Sequence, residues 1–473
     1  MKEETPPLTA PNVMIILTDQ LRAQALGCYG NEQVMTPHID ALAAESLRFE
    51  QAISNCPVCM PARSALLSGQ YARRCTGNLN NHHLVDEAGN WYITDPPEHT
   101  RTQLPLKCLP EHLKGMGYAN ALIGKWHIHP EPRLLGFDSW CYPLVYHRYY
   151  HQGYFENDTA YVVDEFAPFF EVNKFAGFLD RHATDKPFFC YYNISLPHMP
   201  LSQMPDAYRG LYNPDQLALR PNVRSQSPEQ DAHWFRAYMS MYIRGRKLDV
   251  PEVEIEQMNI RTLTSLYYSL VTITDDIVGR LVAQLKQRGL YENTLILFTS
   301  DHGDMLGSHG LYNKEQLYEE SIRVPLLLHG PGINPGVCTG QIAQIIDLMP
   351  TLLEYLGADI PDGGDGQSLM PVVRGQRKEL ERNAAFIECN NYKMGIRTPR
   401  YTYGIQIDPR SLEVANDALL FHDLAADPYQ QTNLLDHLPD DLKPTAQALR
   451  DQCVRWHRET PWLDNPCRFF ELF

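Results

Sequence analysis

Four short apolar runs, far apart in the chain, constrain the fold most: VMIIL from Val13 to Leu17, FFCYYNI from Phe188 to Ile194, TLILFT from Thr294 to Thr299 and VPLLL from Val324 to Leu328. A strand that is apolar at nearly every position has no wet face. It belongs in a sheet covered on both sides, which is the usual setting of parallel strands flanked by helices. Amphipathic segments between the runs supply the covering helices. The clearest places Leu263, Leu266, Leu270, Ile273, Ile277, Leu281 and Leu285 at intervals of three and four, and Gly289 follows as a stop. Ala119 to Ile123, before Gly124, is a weaker strand. The expected class is therefore α/β, with a large mixed, mostly parallel sheet between helices.

The chain has 473 residues, more than the roughly 250–300 that one core usually holds. A change of texture near Pro371 marks a second unit. Short β-like pieces (Ala384 to Glu388, Lys393 to Ile396, Tyr401 to Ile407, Ala418 to Asp423) precede a helix expected from about Asp441 to Arg458. We therefore expect a catalytic domain over 1–370 and, over 371–473, a small α+β subdomain with an antiparallel sheet. The span 201–256 is rich in Pro, Tyr and charge without a convincing period, and is read as a surface insertion.

Lys and Arg number 41 against 57 Asp and Glu, a formal charge of −16. No basic stripe is present to neutralise phosphates, so nucleic acid is excluded as a partner. No run approaches the ~20 apolar residues of a membrane span. The start, MKEETPPLTAP, has no apolar segment of the kind a signal peptide needs. The expected location is cytoplasmic, or periplasmic or secreted if a leader has been removed, and a homo-oligomer is open. Eleven irregularly spaced cysteines do not form a disulfide framework.

Ligands of parallel sheets bind beyond the carboxyl ends of the strands. The first run ends in Thr18, Asp19 and Gln20, and the third in Ser300, Asp301, His302, Gly303 and Asp304. Two such strand ends can converge on a hard cation, with Gly303 and Gly307 allowing a close approach; taken singly, each Asp equally suits a helix cap. Cys59 precedes Pro61 and a helical pattern, which places it at a helix N-terminus suited to an oxyanion, with Arg63 one turn on. Cys59 also admits other readings. It can be an inert buried thiol, or pair with Cys56 as a redox dithiol in a non-catalytic protein, or form half of a zinc site that lacks its second pair.

Three segments carry a resemblance. Cys59-Met60-Pro61-Ala62-Arg63 with Leu66, Leu67 and Gly69 resembles the signature of the sulfatase family, Cys-x-Pro-x-Arg. Gly124-Lys125-Trp126-His127 resembles a second family segment, and Asp301 to Gly310 (DHGDMLGSHG) resembles its metal segment. The likeness runs from about Asn12 to the tail segment Phe421 to Leu434, with order and separation preserved.

This resemblance implies an alkaline-phosphatase-like fold and hydrolysis of a sulfate monoester on a carbohydrate or a small aryl or alkyl alcohol. It also implies a formylglycine nucleophile, made from Cys59 by a maturation enzyme. Asp19, Asp301 and His302, with Cys59 itself, match metal positions; Gln20 stands where many relatives carry a second Asp. Calcium is the family default and manganese the alternative. Arg63, Lys125 and His127 match residues that orient the nucleophile and the sulfuryl oxygens, and His198 and Lys314 match residues at the leaving oxygen. Gln20 also motivates a phosphonate monoester or phosphodiester hydrolase of the same superfamily. His82, His83, Arg101, His309 and the stretch from Arg220 to Arg246 are candidates for the substrate pocket.

Overall fold

A computed structural model describes residues 10–77, 82–85, 91–94, 103–128, 130–145, 148–182, 186–224, 259–389, 392–408 and 411–463. The first apolar run forms the strand Asn12–Asp19, buried at every position. It lies between two parallel neighbours, Thr294–Ser300 and Phe188–Pro197. Its side chains alternate between two cores. Val13, Ile15 and Leu17 join one apolar cluster with Ala62 and Leu66 from the helix Cys59–Ser68. Met14 and Ile16 join the other with Leu270, Ile273 and Ile277 from the helix Ile260–Gln287. Two buried faces explain why this strand shows no polar alternation.

The parallel centre continues from Phe188–Pro197 to Ala119–Gly124 and Ser139–Pro143. Antiparallel strands Gln152–Glu156 and Thr159–Val163 close that side. On the other side Thr294–Ser300 pairs antiparallel with Leu326–His329, which pairs with Leu47–Ile53. Among the described residues the sheet has 11 strands. The fourth run differs from expectation. It runs antiparallel to its neighbours, and it is split into Arg323–Val324 and Leu326–His329 because Pro325 between them has no N–H for a ladder.

The small C-terminal sheet is an antiparallel meander, Ala385–Glu388, Lys393–Arg397, Tyr401–Ile407 and Val414–Asp423, covered by the helix Lys443–Glu459. Ile396, Tyr403, Phe421 and Trp456 share one apolar cluster with Val13, Ala62 and Leu66. Arg73 fastens the two. Its guanidinium lies 4.4 Å from the Trp456 ring and 4.3 Å from the Trp462 ring, and its Nε donates to Glu388 at 2.7 Å.

The described start of the expected insertion runs along the surface but is anchored by buried side chains. Leu201, Met204, Tyr212 and Leu217 are buried in the core around the helix Ile260–Gln287. The remainder, 225–256, lies outside the described residues, as does Arg101, and so do the side chains of His82 and His83. Among the described residues no helix is long and apolar enough to cross a membrane.

Candidate active site

Asp19 ends its strand, and Asp301 follows directly on the strand beside it in parallel register. The two carboxylates are therefore delivered to one point by the sheet itself. The third component arrives from the helix Cys59–Ser68, whose first residue is Cys59 and which is buried throughout. Asp19, Cys59, Asp301 and His302 each direct one ligand atom to a common point, with all four atoms within 4.8 Å of one another.

The geometry is closely specified. Cys59 Sγ lies 3.3 Å from His302 Nε2 and 3.7 Å from Asp19 Oδ1, and Lys314 Nζ donates to it at 3.0 Å. His302 Nε2 is 3.6 Å from Asp19 Oδ1 and 3.5 Å from Asp301 Oδ1. The other ring nitrogen, Nδ1, contacts Gly303 O at 2.9 Å, which fixes the ring and leaves Nε2 facing the carboxylates.

Arg63 clamps the two acids. Its Nε donates to Asp301 Oδ2 at 3.0 Å, and its NH2 lies 2.8 Å from that oxygen and 3.3 Å from Asp19 Oδ2. Its NH1 donates to Lys125 O at 3.2 Å and to Asn193 Oδ1 at 3.3 Å. Lys125 Nζ donates to Asp19 Oδ2. On the far side of Cys59, Lys314 Nζ is 3.2 Å from His198 Nε2, and His198 Nδ1 contacts Met199 O at 2.8 Å. Tyr149 holds that turn by donating to the carbonyls of Ser195 and His198. His127 hydrogen-bonds Cys59.

Cation and anion charges balance locally and set the ionisation of each group. Burial raises the Cys59 thiol, but Lys125, Lys314 and His302 outweigh it and hold the thiol well below its ordinary value. Burial and Cys59 push Asp19 up, yet Lys125, His198 and Arg63 keep it well below the usual carboxylate range. Burial and the charge of Asp19 raise Asp301 despite Arg63. Burial works to lower His302, and the neighbouring Asp301 carboxylate reverses that to a net rise. Burial brings His127 down to about 4 and also lowers His198. Burial works against the Lys314 ammonium, but Cys59 and Asp19 raise it overall.

Neither Asn193 nor the pairing of Gln20 with Asp304 was foreseen. Asn193 accepts from Arg63, and its only sequence signal is an amide inside an apolar run. Asp304 accepts from Gln20 Nε2, so the Gln20 amide presents only its oxygen towards any ligand. Gly303 and Gly307 do not make room for a ligand. A Cβ on Gly303 would sit 2.0 Å from Glu320 O, and one on Gly307 would sit 2.5 Å from Ile260 Cδ1. The left-handed backbone of Gln20 (φ 68) and His127 (φ 47) places rarely adopted conformations beside the cluster, as is common where a site is held by its surroundings. Cys56 differs sharply from Cys59. Burial and Glu388 raise its thiol well above the ordinary value. His309 stacks on Tyr318 and Arg220 pairs with Glu320, both beside the loop that follows Asp301.

The sequence profile of the Sulfatase family matches residues 11–358. The chain belongs to the sulfatase family. Residues 307–458 also match the profile "N-sulphoglucosamine sulphohydrolase, C-terminal". An ulvan-active sulfatase of Formosa agariphila is 33% identical over 94% of this chain and 80% of its own length. An N-acetylglucosamine-6-O-sulfatase of Bacteroides thetaiotaomicron is 27% identical over 92% of this chain and 83% of its own. A structure solved in complex with D-glucosamine-2-N,6-O-disulfate superposes with a TM-score of 0.76 at 21% identity, covering 97% of this chain and 99% of that one. A phosphonate monoester hydrolase of Agrobacterium radiobacter superposes with a TM-score of 0.72 at 23% identity, covering 95% and 96%. Those two likenesses carry the fold: the alkaline-phosphatase-like α/β architecture, with a large mixed sheet and a smaller antiparallel one. The enzyme is a sulfuric ester hydrolase.

Proposed function

We propose that the enzyme hydrolyses a sulfate monoester on a carbohydrate, using a formylglycine made from Cys59 as nucleophile and a divalent cation held by Asp19, Asp301 and His302, with the Gln20 oxygen beside them. The observation that carries this reading is the meeting of Cys59 Sγ with two carboxylates and His302 Nε2 inside 4.8 Å. The donor set fits such an ion. Two buried carboxylates supply charge, and His302 is fixed through Nδ1 with Nε2 directed at both. Calcium, or manganese, which accepts imidazole as well as carboxylate, suits it. When bound, the cation would polarise sulfate oxygens and favour the ionised nucleophile.

The chain's own residues supply the rest. Arg63 and Lys125 orient the Asp19 and Asp301 carboxylates. Lys314 and His198 stand together on the opposite side of Cys59, where the proton for a departing sugar oxygen is needed. His127 stays neutral and orients the nucleophile by its hydrogen bond. A hydrated aldehyde at position 59 has two hydroxyls, one to attack sulfur and one whose deprotonation expels sulfate. Cys59 is fully buried, so its conversion by a maturation enzyme precedes folding.

Replacing the usual carboxylate by Gln20 removes one negative charge from the site, which is the feature favouring phosphonate or phosphodiester substrates. Comparing kcat/KM for 4-nitrophenyl sulfate and for phenyl phosphonate esters decides. The expected result is a preference for the sulfate ester; a strong preference for phosphonate overturns the reading.

The cation is tested by chelation. Restoring calcium or manganese to stripped enzyme at 100 times its Kd is expected to stabilise the fold by about 2.7 kcal/mol. For a cooperative unit of this length that is a rise in Tm of roughly 2–3 °C. Asp301→Asn is expected to abolish the rise, and an unchanged rise in that variant rules out Asp301 as a ligand.

A further inference from the structure

Beside the loop that carries Asp301 and His302 lies a second cleft, of about 540 Å³, bordered by Gln24, Tyr29, Arg220, Tyr268, Arg323 and Tyr429. Residues next to its lining are tied to that loop: Gly303 N donates to Ser321 O at 2.8 Å, and Asn222 Nδ2 joins Glu320 Oε1 at 2.8 Å to His309 Nε2 at 3.2 Å.

The two arginines of the cleft are built alike. Arg220 lies over the Tyr429 ring at 5.1 Å, and its Nε donates to the buried Glu320 carboxylate at 2.9 Å. Arg323 lies over the Tyr29 ring at 5.9 Å, with its Nε on Glu50 O at 2.8 Å and its NH2 on Glu50 Oε2 at 3.2 Å. In each case a tyrosine face and a carboxylate fix one edge of the guanidinium. Among the described residues, both terminal nitrogens of Arg220 and the NH1 of Arg323 make no hydrogen bond. A guanidinium carries five N–H donors, and such a pre-set fork matches a planar or tetrahedral oxyanion.

An independent observation comes from Gln24, on the wall of the same cleft. Its Nε2 is committed to Glu319 O at 3.3 Å, while its Oε1 is buried without a partner among the described residues. A buried amide oxygen of this kind calls for a donor such as a sugar hydroxyl. The Glu319 carboxylate does not compete with an anion, because Arg397 holds both of its oxygens, at 2.9 and 3.2 Å.

We propose that this cleft is a second glycan subsite for an oxyanion-bearing sugar unit, whose carboxylate or sulfate group meets the free edges of Arg220 and Arg323 and whose hydroxyl meets Gln24 Oε1. The inference rests on the reading that the substrate is a carbohydrate. The chain carries a net charge of −16, Glu32 also lines the cleft and each arginine is paired to a carboxylate, so selectivity for an anion here comes from the placed guanidinium edges and not from the overall field.

Fluorescence anisotropy with three end-labelled hexasaccharides tests it: an unsulfated oligouronate, sulfated maltohexaose and plain maltohexaose. The expected result is binding of at least one anionic hexamer about tenfold tighter than the neutral one. Whichever anionic hexamer binds identifies carboxylate or sulfate as the recognised group. Arg220→Lys keeps the charge opposite Glu320 but not the fork, and is expected to weaken the anionic hexamer by about tenfold. Arg323→Lys should act likewise, and turnover of 4-nitrophenyl sulfate should be unchanged in both. Equal binding of the neutral hexamer, binding of neither anionic one, or undiminished binding by Arg220→Lys overturns the subsite. Failure of the wild-type enzyme to turn over any sulfate ester would instead overturn the parent reading, independently of the anisotropy.

Discussion

Cys59→Ser is expected to release a single equivalent of nitrophenol from 4-nitrophenyl sulfate and then stop, with steady-state turnover lower than that of the matured enzyme by about 10⁴-fold or more. The serine hydroxyl would occupy the position that Cys59 Sγ holds, in reach of Lys314 Nζ and His302 Nε2. It can therefore attack once, forming an S–O bond to the chain as the bond to the leaving oxygen breaks. What it lacks is a second hydroxyl on the same carbon. The sulfate is then an ordinary ester with no neighbouring hydroxyl to expel it, so only direct attack by water can cleave it. Rapid mixing should show the burst, and intact mass should show a covalent sulfate adduct on the stalled protein. Cys59→Ala should show neither. A Cys59→Ala enzyme as active as wild type removes Cys59 from the chemistry. Peptide mass on the active wild type provides the companion test, since formylglycine lowers the residue mass by about 18 Da relative to the thiol.

The parts of this site that could be read from sequence are those set by local pattern. Asp19 and Asp301 end apolar runs, and a run that is a strand in a parallel sheet must send its last residues to the ligand-binding edge. Cys59 opens a helix because Pro61 suits its first turn and Gly69, at φ 65, closes it. The parts that were not legible depend on pairings across long stretches of chain. Arg63 meets Asn193 across 130 positions and Gln20 meets Asp304 across 284. Neither pairing leaves a periodic or compositional trace. The split of the fourth run follows from Pro325, which is visible in the sequence, but the reversal of its direction follows from pairing with Thr294–Ser300 and Leu47–Ile53. The burial of Leu201, Met204, Tyr212 and Leu217 was obscured for the same reason: their apolar contacts lie with the helix Ile260–Gln287, and they share no local period.

Arg63→Ala is expected to damage stability and activity together, which separates a clamp from a group that acts only on the substrate. Arg63 is completely buried, and its guanidinium reaches Asp301, Asp19, Lys125 O and Asn193 Oδ1. Truncation leaves these acceptors unequally provided for. Asp19 keeps Lys125, and Asp301 Oδ1 keeps the backbone N–H groups of Gln20 at 3.1 Å and His302 at 2.8 Å. Asp301 Oδ2 loses its cationic partner in a dry site. Breaking a buried ion pair from one side typically costs about 3–5 kcal/mol, because the remaining charge is stranded. For a chain of this length that corresponds to a fall in Tm of roughly 3–5 °C. Loss of a preorganised charge beside the reacting group should lower kcat/KM by about 10²–10³-fold as well. Arg63→Lys restores the charge, but one ammonium cannot serve acceptors on both carboxylates, the Lys125 carbonyl and Asn193, so it should recover much of the stability and little of the activity. Calorimetry and kinetics on the two variants give the answer. A normal Tm with lost activity in Arg63→Ala would assign Arg63 to the sulfuryl oxygens alone, and normal values of both would remove the clamp.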